Sequence, residues 1–144
     1  MTVFIVRIPA RPALHARVVP IGAGLLAAAF VTDLLYCQTL SSQWETFSIW
    51  LLTAGLIVAA ISGLALVLDL ALDVALRRVA GVSWPRFWAL TAAALLSLLN
   101  AFIHSRDGYT AVAPTGLALS AAVTLILVFV GLRGWSLSDR SAAD

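Results

Sequence analysis

A chain of 144 residues with 62% hydrophobic content and a mean hydropathy of +1.01 carries more apolar surface than one soluble core of that size can bury. Its formal charge of +2 comes from arginine alone, there being no lysine, so the meaning of the charge lies in where it is placed. The single cysteine, Cys37, excludes an internal disulfide and any CxxC redox or metal motif.

Residues 1–17 are broken by Pro9, Pro12 and arginines and have too short an apolar run for a secretory signal, so they are expected to form a cytoplasmic N-terminal segment. Residues 18–135 are predicted to form one domain of four spanning helices. Each of the four apolar runs is about 20 residues or longer, the length needed to cross about 30 Å of hydrocarbon. The first span is predicted at 18–38, with Pro20 in its first turn and Gly22, Gly24 and Ala27–Ala29 supplying the small residues that let a neighbouring backbone come close. Asp33 and Tyr36 lie inside it.

A short polar loop from Thr39 to Glu45, with Trp44 as an interfacial anchor, leads to a second span at 46–78. Asp69, Asp73 and Arg77 recur every fourth residue and share a face, which reads as a solvated helix end. The third span is predicted at 85–104, edged by Trp84, Arg86 and Trp88. The fourth, at 112–132, starts near Pro114 and is followed by Arg133 and Trp135. Residues 136–144 make a short polar tail.

Four spans bring both termini to one side. Arg7, Arg11, Arg17, Arg77, Arg78, Arg86, Arg133 and Arg140 fall there, against Arg106 alone on the other, so the positive-inside rule predicts an all-α four-helix bundle with N-in/C-in topology. Arg77, Arg78, Arg86 and Arg133, interleaved with tryptophans, form a rim suited to anionic lipid headgroups and not to nucleic acid.

The chemistry-bearing residues collect at the opposite end: Asp33, Tyr36, Asn100, His104, Arg106 and Asp107. A carboxylate is costly in hydrocarbon unless it is paired or turned inward, and Arg106 is the fixed cation on its side, so an Asp33–Arg106 ion pair is expected. Asn100 and His104 are one turn apart and share a face, offering either internal glue or a contact for a ligand, with Tyr36 beside them. A single haem held by His15 and His104 is excluded by separation, since the two lie nearly a bilayer apart, about 30 Å. Haem b or a quinone at the outer cluster alone stays open as the alternative cofactor. Ser105 beside His104 lacks a third group to orient the histidine, so no catalytic residues are predicted. No metal ligand set is predicted either.

The stretches HARVVPIGAGLLAAAFVTDLLY (His15 to Tyr36), WETFSIWLLTAGLIVAAISGL and NAFIHSRDGYTAVAPTGLALS, taken together, resemble the bacterial family of predicted membrane proteins labelled domain of unknown function 2231, over about Arg11 to Trp135. The resemblance implies a four-helix membrane domain. Where many members of that family place a histidine or proline and then Phe-Pro, this chain has Pro20 and Gly22, which weakens any two-histidine metal site carried over. Some relatives join or neighbour cytochrome c or quinoprotein dehydrogenase domains, implying a redox membrane. The expected function is a non-enzymatic accessory or assembly subunit of a larger electron-transferring complex in the bacterial inner membrane, with lipids and other integral subunits as partners. The alternative is a membrane redox carrier binding haem b or quinone near Asn100, His104 and Asp33.

Overall fold

The computed structural model describes residues 13–76, 82–107 and 112–137, with the side chains of 106 and 107 outside that description. Four helices follow one another: α1 (His15–Thr39), α2 (Ser42–Ala75), α3 (Trp84–Asp107) and α4 (Leu117–Leu132), the last entered through a π-helical turn, Val112–Gly116. All four, counting Val112–Leu132 as one, are long and apolar enough to cross a membrane. The protein is therefore all-α, as its composition requires, and no strand occurs among the described residues.

The first connection is shorter than expected. Leu40 takes the left-handed conformation (φ 53°), and its N–H bonds to the Tyr36 carbonyl at 2.8 Å, ending α1. Ser41 is extended, and α2 begins at once with Ser42. The polar residues that read as a loop, Ser42 to Glu45, are thus the first turn of α2. At the other end α1 starts at His15, so Pro20 sits within the helix and not in its first turn, and its absent N–H leaves the Ala16 carbonyl without an intrahelical donor.

Small residues set how closely the first hairpin packs. A Cβ on Gly55 would lie 2.6 Å from the Leu26 side chain, and one on Gly22 would lie 3.2 Å from Val58 and 3.5 Å from the Ala59 backbone. Gly22 thus gives the close approach expected of it. Gly24 does not, since it has nothing within 4 Å of its Cβ position. Leu26, Ala23, Ala29, Leu52, Ala93, Val123 and Leu127 make the core, drawn from all four helices. α1 lies mainly against α2 and α4, and α3 against α4, with a smaller contact between α2 and α3. Between those two helices runs an apolar cleft of about 160 Å³, backed by Gly22, Ala23 and Leu26 of α1 and walled by Ala59, Leu66, Phe87 and Leu90.

The outward faces are hydrocarbon. Ile57, Ile61, Leu64, Leu125 and Phe129 are more than half exposed, and Trp84 and Trp88, both 61% exposed, stack with centroids 6.5 Å apart at the start of α3. Apolar outside and polar groups inside is the arrangement of a bundle in lipid.

Candidate functional site

Two histidine–aspartate pairs lie buried in the bundle, one at each end. We call these the turn end, at Leu40, and the tail end, where α1 begins and α4 stops. In α1 alone, His15 and Asp33 are separated by roughly 27 Å at 1.5 Å per residue.

At the turn end Asp33 is fully buried and draws in all four helices. Ser48 of α2 donates to Oδ1 at 2.5 Å and Ser120 of α4 donates to Oδ2 at 2.6 Å. His104 Nε2 of α3 meets Oδ1 at 3.2 Å. His104 Nδ1 contacts the Asn100 carbonyl at 3.0 Å, and because a carbonyl only accepts, Nδ1 carries a proton. The Nε2–Oδ1 contact then needs one proton of its own, residing on either the imidazole or the carboxyl. In both arrangements the pair is neutral as a whole, which is how a buried carboxylate is tolerated at this depth. Tyr36 is buried one turn beyond Asp33, and Glu45, also buried, acts electrostatically on His104.

Asn100 stands apart in this group. It is fully buried, its side-chain N and O have no hydrogen-bond partner among the described residues, and it lies one turn from His104. Ser97, also fully buried, satisfies its hydroxyl on the Ala93 carbonyl. The expected partner of Asp33, Arg106, has its side chain outside the described residues, as do Asp107, Arg77, Arg78 and Arg140.

At the tail end His15 is equally buried, and here the sequence expectation fails. Asp69, read as part of a solvated stripe, is only 8% exposed and accepts from both the His15 backbone N–H (3.0 Å) and Nδ1 (2.8 Å). Asp73, one turn on, is buried as well. The histidine's other nitrogen, Nε2, accepts the Leu137 N–H at 2.9 Å, so the described C-terminal residues fold back onto the first helix. Arg86, expected at lipid headgroups, donates from Nη1 to the Ser136 carbonyl at 2.8 Å, and Arg133 lies 4.2 Å over the Phe129 ring. Among the described residues no three His, Cys, Asp or Glu side chains converge as metal ligands.

The sequence singled out Asp33, Asn100, His104 and Tyr36, and the structure brings Asp33 and His104 into contact. Ser48, Ser120 and the His15–Asp69 pair were missed, and for α1 and α2 it is the position of the turn that sets their partners. Counting outward by nearly equal steps from the Leu40 turn sets Leu26 against Gly55, Asp33 against Ser48 and His15 near Asp69.

No curated protein and no solved structure matched the chain. One family did, and the match spans residues 11–143, covering all four helices and both buried pairs. By that match the chain belongs to the family described as Predicted membrane protein (DUF2231).

Proposed function

We propose that this multi-pass protein is a non-enzymatic accessory or assembly subunit of a larger membrane complex of the electron-transferring type, seated in the bacterial inner membrane with its tail end cytoplasmic. One observation carries the reading. Asp33, His104, His15 and Asp69 are all engaged by groups of the chain itself, while the outward faces offer hydrocarbon and a tryptophan edge. Such a bundle has an interior that fastens its own helices and an exterior suited to lipid tails and other apolar helices. The orientation rests on the arginine bias of the sequence, in which Arg106 alone falls in the segment between the third and fourth spans. The electron-transfer setting rests on the resemblance to one family, some of whose relatives join or neighbour cytochrome c or quinoprotein dehydrogenase domains. Co-purification from native membranes in a mild detergent tests it: a defined set of integral subunits is expected, and a lone monomer overturns the proposal.

A second reading, a redox carrier at Asn100, His104 and Asp33, is favoured by one specific feature. The Asn100 amide has an unused donor and an unused acceptor in a fully buried position, the groups a quinone or quinol head requires. Haem b fits less well at either end. His104 Nε2 is held by Asp33 and His15 Nε2 by Leu137, so iron would have to displace a bonded partner. An absorption spectrum separates the readings: a Soret band lost in His104→Ala selects haem, and quinone extracted from wild type but not from Asn100→Leu selects quinone.

A further inference from the structure

The segment after α4 is built as a strap. Gly134, with φ 92°, takes a conformation open to glycine and reverses the chain. Gly131 has no Cβ because the Trp135 ring occupies that space; an added Cβ would meet it at 2.7 Å. Hydrogen bonds hold the strap across the tail end. Arg86 donates to the Ser136 carbonyl (2.8 Å), the Ser83 N–H donates to the Leu137 carbonyl (2.7 Å), and the Leu137 N–H donates to His15 Nε2 (2.9 Å). Leu137, 5% exposed, closes the tail end of the apolar cleft beside Leu66 and Phe87.

These contacts fix the state of His15. An amide N–H only donates, so Nε2 offers its lone pair to Leu137 and the ring proton resides on Nδ1, directed at the Asp69 carboxylate. A second proton has one place to go, which is the lone pair that holds the strap. Proton and strap therefore compete for one site.

We infer that His15 is a proton-operated latch, in which protonation at Nε2 expels the Leu137 N–H, lifts the strap and opens the cleft at its tail end. The step balances. One proton enters from the aqueous side and bonds to Nε2, the Leu137 amide loses its acceptor, and Asp69 keeps both hydrogen bonds from His15. The histidine–carboxylate pair passes from net negative to net neutral. Among the described residues, the other charged groups on the elements around His15 are Asp73 on α2, Arg17 on α1, Arg86 on α3 and Arg133 at the end of α4. Arg86 is bound to the strap itself, and Arg133 lies over Phe129.

The chain has only two histidines, so selective ¹⁵N-histidine labelling of the full-length protein in lipid nanodiscs resolves each ring, with His104 as internal control. The pH is lowered from about 8 to about 5 while the ring nitrogens report whether His15 is the Nδ1–H tautomer or imidazolium. At the His15 midpoint the Leu137 amide should exchange at least about tenfold faster, after correction for intrinsic rates, and the NOEs from its methyls into the cleft should vanish. Exchange at Leu137 that is unchanged over this range, or a midpoint that differs from that of His15, overturns the latch. Two variants sharpen the test. Leu137→Pro, which has no N–H to give, should show the open strap at both pH values. His15→Phe should remove the pH dependence, and its persistence there overturns the latch too.

Discussion

The two ends of the bundle solve the same problem with opposite economy. Each buries an aspartate against a histidine in an apolar surround, yet at the turn end the aspartate gathers a serine from α2, a serine from α4 and the imidazole of α3, whereas at the tail end one imidazole does the gathering. Asp33 is a hub whose loss touches every helix. His15 is a link between a helix start and a peripheral strap. The difference teaches that a buried ionisable pair in a membrane bundle serves as a rivet or a hinge according to how many elements converge on it. The residue types alone do not say which.

The largest effect that would break this contrast is at Asp33. Asp33→Ala leaves the Ser48 and Ser120 hydroxyls and His104 Nε2 without their acceptor, and should cost about 3–5 kcal/mol, the range for removing one partner of a buried charged network. Thermal unfolding in detergent, followed by circular dichroism, reads it directly. A loss no greater than that of Asp69→Ala would erase the distinction between hub and link. Next comes Gly55→Ala, whose Cβ must displace Leu26 and should cost about 1–3 kcal/mol as overpacking, while Gly24→Ala, facing open space, should be neutral or slightly stabilising. Equal effects at the two glycines would mean that the α1–α2 contact is looser than the geometry requires.

Asp69→Asn should act locally, costing about 1 kcal/mol globally while hastening proteolytic clipping after Trp135, because the strap loses the carboxylate that fixes the His15 tautomer. Global unfolding with no preference for the strap would make the tail end a second hub. The smallest effect is expected at Asn100. Asn100→Leu removes two polar atoms that have no partner among the described residues and keeps the volume, so stability should stay within about 1 kcal/mol of wild type or rise. A loss of several kcal/mol would show that the amide is satisfied by something the protein carries into the membrane.

Much of this was readable in the chain. Hydropathy and length are sufficient to dictate four spans, since each apolar run is long enough to cross as a helix that satisfies its own backbone in lipid, and Asp33 and His104 stood out as polar groups that the interior must pair. Ser48 and Ser120 were silent because a serine in a membrane helix can satisfy itself on its own backbone, as Ser62 does on the Val58 carbonyl. Asp69 was misread for a different reason. A charge near a helix end resembles a solvated one until the register of the partner helix is known, and that register depends on how tightly Leu40 and Ser41 turn the chain.

That tight turn also bears on how the protein enters a bilayer. With two residues between α1 and α2, the pair is short enough to insert as a single hairpin, and Asp33 arrives already facing Ser48. A lone aspartate costs about 2.5–3.5 kcal/mol at a helix centre on insertion scales, which is an upper figure for Asp33 near the end of α1. Within the hairpin alone, Ser48 already gives the Asp33 carboxylate a donor, so the pair needs neither α3 nor α4 to begin shielding that charge.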